Sequence, residues 1–395
     1  MKWSSAYAQG DSLEDAINTA STQIKRELNG NSPDLVFTFI SHHFADRYTK
    51  VPNMVSEHLT PKYFAGCSAG GVIGDGHEIE NQPGFSIIAG YLPDVNLVPF
   101  HFEAEDLPDM DASPESWEKL LGVTNELTPQ FILLADPFTF PTERLIQGLD
   151  YAFPKSIKTG GLASGGHAPG QNALYLGDHT YRSGVIGITL DGNITIDTIV
   201  AQGCRPVGQL MEITSSKGNL LIELDGRPAI EALGDLFASL NEGDQDLARH
   251  SLFLGLAMDE FSSQLGLGDF LIRNILGMDP SSGAIAIGEL PREGQRVQFQ
   301  IRDSRTSGEE LEGLLKLYAD GHESHPESGT LLFSCLGRGE YLYGHADHDT
   351  DLFKKWLGNM PLGGFFCNGE IGPVGNSTFL HGYTSSFALI RPRSP

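Results

Sequence analysis

The chain has 395 residues and a formal net charge of −25, from 51 acidic and 26 basic side chains. Such a surface gains no DNA affinity from counterion release and is repelled by an anionic bilayer, so nucleic acid and membrane insertion are excluded as working hypotheses. Hydrophobic residues reach 40%, enough for a buried core, and the 47 glycines follow no G-X-Y period, which rules out a collagen-like chain.

The first predicted element is a helix. Asp11 or Ser12 can cap it, with Asp15 three places after Ser12, and Leu13, Ile17, Ala20, Ile24 and Leu28 recur at helical spacing until Asn29-Gly30. Further helices are predicted at 114–122, 142–153, 228–240, 307–318 and 349–358. Between them lie short apolar β runs at 35–40, 131–135, 184–190, 252–257, 297–301 and 330–335. Strands also follow one another through turns, so the pattern reads as α+β rather than strict βαβ alternation.

Three stretches resemble one another. The first is a strand at 35–40, then KYFAGCSAGG at 62–71, then FSIIAGYL at 85–92. The second is FILLA at 131–135, a helix, KTGGLASGG at 158–166 and SGVIGITL at 183–190. The third is TLLFSC at 330–335, a helix, LGGFFCNGE at 362–370 and SSFALI at 385–390. Equal spacing from the first strand aligns Gly66 with Gly161, and the Gly-rich texts align 160–170 with 363–373. A degraded fourth copy is read at 252–288, which places two copies in each half. The expected fold is two pseudo-symmetric lobes built from duplicated strand–helix–strand–turn–strand modules, with mixed β-sheets flanked by helices. The expected domains are 1–224 and 225–395, with the seam near 218–227, where Pro228 stands at a helix start.

The texts GCSAGG (66–71), LLFSCLGRG (331–339) and GFFCNGEIGPVGNSTFLHGYTSSFAL (364–389) resemble the FIST family, in which an N-terminal and a C-terminal FIST domain stand in tandem. The resemblance runs from about Pro33 to Leu389. It implies a small-ligand-binding sensory module, with amino acids or their derivatives as proposed ligands. Members are fused to bacterial signalling domains or to F-box ubiquitin-ligase subunits, and some bacterial members resemble haem-binding nitric oxide sensors. The FIST pair takes up this chain, and no kinase block or F-box-sized segment is read beside it. Output is therefore expected through a downstream signalling protein.

The candidate site residues are those of the Gly-rich turns. Gly66-Cys67-Ser68-Ala69-Gly70 matches G-x-S-x-G, but a nucleophile elbow needs a helix directly after the serine, and VIGDGHE follows instead. The turn is read as structural, or as one whose freed N–H groups hold a ligand oxygen. The other copies place Ala163 and Phe366 where Ser68 stands. Gly160–Gly170 lacks the Lys-Ser/Thr of a phosphate-binding loop. Arg338, between two glycines, either forks onto a ligand carboxylate or pairs internally with Asp or Glu. Cys367, Asn368 and Glu370 are matched with the turn at Ser164, and Glu370 is a candidate for capturing an ammonium group. Four cysteines at 67, 204, 335 and 367 form no CxxC pair; Cys335 and Cys367 end adjacent strand-like runs and could approach each other, read as buried inert thiols rather than a redox sensor.

Thirteen histidines raise a metal or haem reading. The run Gly344–Asp349 (GHADHD) sits beside a turn without an HExxH glutamate, so no metal is expected. His381, in LHGYT, is the residue to test for a non-covalent haem, and otherwise no cofactor is expected. No secretory signal or 18-residue apolar run is read, so the expectation is cytoplasmic. The function expected is a stand-alone sensory protein that binds a small metabolite through Cys67, Ser68, Ser164, Arg338, Cys367, Asn368, Glu370 and His381. The alternatives are a hydrolase using Ser68 or Cys367, and a non-catalytic scaffold.

Overall fold

The computed structural model describes residues 1–262, 264–323 and 326–393. The first module runs β1 (Lys2–Gln9), α1 (Leu13–Glu27), β2 (Leu35–Ser41), α2 (Val51–Leu59), β3 (Tyr63–Ala69), β4 (Val72–Gly74), β5 (His77–Ile79) and β6 (Gly84–Tyr91). The second runs β7 (Val95–Phe102), α3 (Pro114–Leu121), β8 (Gln130–Ala135), α4 (Thr142–Ala152), β9 (Lys158–Leu162), β10 (Leu174–Leu176), β11 (His179–Tyr181) and β12 (Val185–Gly192). A third opens with β13 (Thr195–Ala201). It is then interrupted by β14 (Cys204–Lys217), β15 (Leu220–Leu224), β16 (Arg227–Pro228), α5 (Ala229–Ser239), α6 (Glu242–Ser251), β17 (Leu252–Ala257), β18 (Phe270–Asp279), β19 (Ala284–Ile287) and β20 (Arg296–Arg302). After α7 (Ser304–Gly321) it resumes as β21 (Gly329–Cys335), α8 (Glu340–Tyr343), α9 (His348–Leu357), β22 (Leu362–Cys367), β23 (Glu370–Val374), β24 (Ser377–His381) and β25 (Ser385–Arg391).

The fold is α+β, with mixed sheets and repeated modules. In each module the second and third long strands pair parallel: β2 with β3, β8 with β9, β21 with β22. The last strand lies antiparallel to the second. The hairpin that follows each third strand leaves its own sheet. Hairpin β4–β5 joins the third module's sheet beside β22, β10–β11 joins the first beside β3, and β23–β24 joins the second beside β9. The three modules thus exchange hairpins in a closed ring.

Strand alternation explains the core. Leu35, Phe37 and Phe39 of β2, Ile132 and Leu134 of β8, and Leu331 and Phe333 of β21 share one central apolar cluster. The intervening Val36 and Ile40 meet α1 and α2, and Phe131 and Leu133 meet α3 and α4. Both faces of these strands are covered, which is why they read as continuous apolar runs. Of the two candidate caps of helix α1, Ser12 is the one used, its Oγ accepting the Asp15 N–H at 3.2 Å.

The chain divides into two compact units. One comprises residues 1–200, 312–380 and 384–395, and the other 201–311 and 381–383. The expected fourth copy at 252–288 is corrected here. In the second unit the strand order is β14-β20-β17-β18-β19-β15-β16 and the pairings are antiparallel. Periodicity alone made β17, β18 and β19 look like the others, but the parallel pair that defines a module is not formed there. Helices α5 and α6 pack on this sheet through Leu233, Leu236 and Ala248. The three modules lie in the first unit.

The alignment of the copies is also corrected, by one residue. The strand register places Gly66, Gly160 and Gly364 in the same position. A Cβ there would stand 2.1 Å from the Thr38 carbonyl oxygen, 1.9 Å from that of Leu133 and 1.9 Å from that of Leu332, respectively. The doublets Gly160-Gly161 and Gly363-Gly364 look interchangeable in sequence, and only the partner strand distinguishes their members. The residues matching Ser68 are therefore Leu162 and Phe366. Among the described residues no helix is long and apolar enough to cross a membrane.

Candidate functional site

The ends of β3, β9 and β22 meet at a junction knitted by backbone hydrogen bonds. The N–H groups of Ser68, Leu162 and Phe366 donate to the carbonyls of Ala173, Gly369 and Gly71, each in another module, at 2.8–3.0 Å. A second ring runs beside it. Ser164 N–H donates to Ser68 O at 3.2 Å, and Asn368 N–H donates to Leu162 O at 3.1 Å. The corresponding Gly70 N–H donates instead to Ser164 Oγ at 2.8 Å, and that hydroxyl donates to Phe366 O. One serine side chain completes the ring.

The sequence-predicted residues divide between this junction and places outside it. Cys67, Ser68, Ser164 and Cys367 are brought together and buried, while Asn368 is exposed at the edge. Ser68 Oγ donates to Ser164 O and accepts the Ala173 N–H. It stands on a strand, with Gly70, Gly71 and β4 after it and no helix, so the nucleophile-elbow context is missing. Burial pushes the Cys67 and Cys367 thiols well up. Cys335 and Cys367 are register partners, side by side as expected. Glu370 is enclosed and accepts the Thr384 N–H at 3.2 Å. His381 is buried and groups with the second unit.

Arg338 is wholly buried. Its guanidinium forks onto Asp349, Nε to Oδ2 at 2.8 Å and Nη2 to Oδ1 at 3.1 Å, and Nη2 also donates to the Tyr343 hydroxyl at 2.6 Å. This is the internal ion pair, one of the two readings of its sequence context. Burial alone would raise the Asp349 carboxyl. The Arg338 charge and hydrogen bonds from His348, Arg338 and Ser385 outweigh that and hold it well below the usual range.

Beside this pair lies a cavity of about 260 Å³ whose lining includes Glu78, Glu80, Glu340 and Asp347. Strand β5 supplies Glu78, the residue just after that strand is Glu80, and the segment after β21 supplies the others. Asp347 adopts φ 64° and accepts the Glu78 N–H at 2.6 Å. Gly339 has φ 65°, a conformation that calls for glycine, and a Cβ on it would lie 2.1 Å from Glu80 Oε1 and displace that carboxylate. Glu80 Oε1 accepts the Glu340 N–H at 2.8 Å. Glu78 is 6% exposed. Its Oε1 accepts the Thr350 N–H at 2.9 Å, and its Oε2 is buried without a hydrogen-bond partner among the described residues. Burial, then the Asp349 charge, raises the Glu78 carboxyl to about 8. Burial raises Glu80 as well. Among the described residues no three His, Cys, Asp or Glu side chains are grouped so as to hold a metal ion.

Sequence reasoning missed Glu78, Glu80, Asp347 and Asp349 as a group. Glu78 and Asp347 are 269 residues apart, and only the hairpin exchange unites them. The available signal was the acidic text at 347–351 beside a glycine-flanked arginine.

Comparison with known proteins finds two family domains in tandem. The FIST N domain matches residues 34–227, and the FIST C domain matches residues 229–373. The chain belongs to the FIST family. An uncharacterized protein of Mycobacterium tuberculosis is 34% identical over 376 residues, 95% of each chain. An uncharacterized protein of Mycobacterium bovis is 34% identical over 381 residues, 96% of each. Human F-box only protein 22 is 35% identical over 83 residues, 16% of this chain and 21% of that one. A cyanuric acid hydrolase from A. caulinodans aligns over the full length of both chains at TM-score 0.35 and 8% identity, a likeness too low to carry an argument.

Proposed function

We propose that this FIST protein is a sensor that binds a small organic cation, a metabolite carrying an amino group, in the Glu78–Asp347 cavity and acts through a partner protein. The observation that carries this reading is Glu78, which lines a cavity with three further carboxyls and whose Oε2 is buried without a hydrogen-bond partner among the described residues. A buried polar atom without a partner costs about 1–3 kcal/mol, and once the Glu78 carboxyl is ionised an ammonium N–H satisfies it. Carboxylates spread around a cavity suit a donor with several N–H bonds better than a bare ion.

In this reading Glu78 keeps its proton while the cavity is empty and gives it up to water as the ammonium enters. The ligand bridges hairpin β4–β5 and the segment 340–347. It therefore favours the arrangement in which both are in place, and only such differential affinity shifts a conformational equilibrium. The partner would read that arrangement. The reading uses no cofactor.

The test is thermal stabilisation of the full chain by amino acids, monoamines and diamines, each against the matched alcohol or acid. An amine should give a saturable shift, and Glu78→Gln should abolish it while leaving the chain folded. Equal stabilisation by the neutral partners, or an amine shift unchanged in Glu78→Gln, sinks the proposal. A stable partner complex with no response to any amine would favour the scaffold.

A further inference from the structure

A second cavity, of about 570 Å³, occupies the equivalent place in another module. The acidic cavity lies where hairpin β4–β5 meets the connection after β21. This one lies where hairpin β23–β24 meets the connection after β8, at the N-terminus of α4. Its chemistry is opposite. Phe140, Leu162 and Leu380 give it an apolar floor, part of the cluster beneath α4.

Two polar groups on its wall lack what they need. Thr142 is 4% exposed, and its Oγ1 has no hydrogen-bond partner among the described residues. Arg144 Nη2 donates to the carbonyls of Leu107 and Pro108 at 3.1 and 2.8 Å, so the guanidinium is anchored by backbone rather than by a carboxylate. Its Nε is buried, likewise without a partner. The Arg144 cation is thus held beside the cavity by backbone carbonyls. The helix start adds to the field: its N-cap is Pro141, whose own side chain makes no cap hydrogen bond. Glu143 stands at the exposed rim, where water screens it.

We infer that this cavity binds a small organic anion with an apolar tail, its head group at Arg144 and Thr142 and its tail over Phe140, Leu162 and Leu380. Buried donors without acceptors are satisfied by an anion, and a floor of that kind takes up hydrocarbon. The inference does not rest on the amine reading, because the two cavities share no lining residue.

The experiment is calorimetric titration of the full chain with octanoate, 1-octanol and octylamine. Octanoate should bind saturably and the other two should not compete with it. Arg144→Gln should weaken octanoate by about tenfold, the loss of one charge-assisted hydrogen bond. Because Arg144 also holds the 107–108 backbone, Met110 at the rim, 56% exposed, supplies the second test. Met110→Glu should weaken octanoate and Met110→Lys tighten it, each by about threefold at low salt, without altering Tm. Glu78→Gln should leave octanoate binding unchanged. Octanol binding as well as octanoate, octanoate binding unaltered by all three variants at 144 and 110, or no octanoate binding at all would each overturn the inference.

Discussion

Glu78 and Asp349 are two buried carboxyls that hold their protons with opposite strength. Asp349 has the Arg338 fork and stays ionised; Glu78 has one backbone N–H and the Asp349 charge beside it, and its carboxyl is raised to about 8. A pair pushed apart in this way separates a fixed charge from one that a ligand can create.

The first prediction is a pH dependence. The unfolded chain releases the Glu78 proton near 4.5, and the folded chain keeps it to about 8. Between those values unfolding releases a proton, so stability falls as pH rises. The slope from this group is roughly 1.4 kcal/mol per pH unit within the window. Urea unfolding at pH 5, 6, 7 and 8 should show a steeper decline in the native chain than in Glu78→Gln; parallel profiles would refute the assignment.

Arg338→Met should cost about 3–5 kcal/mol, because it strands the Asp349 carboxylate in the interior. The double variant Arg338→Met/Asp349→Leu should recover most of that loss. The urea midpoint at constant m separates the cases. A single variant as stable as the native chain would mean that Asp349 finds another partner.

Ser164→Ala should destabilise by about 1–3 kcal/mol, since it strips the Gly70 N–H and the Phe366 carbonyl of their shared hydroxyl. Ser164→Thr, which keeps the hydroxyl, should lose less if its methyl is accommodated. If Ser164→Ala matches the native chain, a water has replaced the bridge.

Gly364→Ala should abolish folding or cost more than about 3 kcal/mol, because its Cβ would meet backbone rather than a mobile side chain. Gly313, in α7 with open space around it, is the control, and its alanine variant should gain about 0.5–1 kcal/mol. Equal stability of the two variants would remove the steric account of the parallel pair.

Iodoacetamide should label Cys335, half-buried, ahead of the buried Cys67, Cys204 and Cys367. A fluorophosphonate should leave Ser68 unmodified. Fast labelling of Ser68 or Cys367 in the native chain would revive the hydrolase alternative.

Much of the fold was legible because its signals are local. The helices beginning at Leu13, Pro114, Thr142 and His348 lie within a residue or two of their predicted spans, each amphipathic and bounded by a cap or a breaker. The three modules were visible because buried parallel pairs demand apolar runs and a glycine at one fixed place. What stayed hidden was relational. Gly160 and Gly161 differ only in what faces them, and β17–β19 carry the same apolar text in another pairing. The acidic cavity was invisible for the same reason: no spacing rule connects Glu78 with Asp347 or Glu80 with Glu340.

The hairpin ring bears on biosynthesis. Gly74 pairs with Gly363, about 290 residues later, so hairpin β4–β5 leaves the ribosome long before the strand it completes exists. Until then β22's place is empty and a row of N–H and C=O groups stands open, a template for pairing with other nascent chains. No module can close its sheet alone, so a truncation that removes one hairpin should leave two modules unfinished rather than one. The first unit is therefore expected to fold slowly and in one late step, and to depend on chaperones in proportion to that delay.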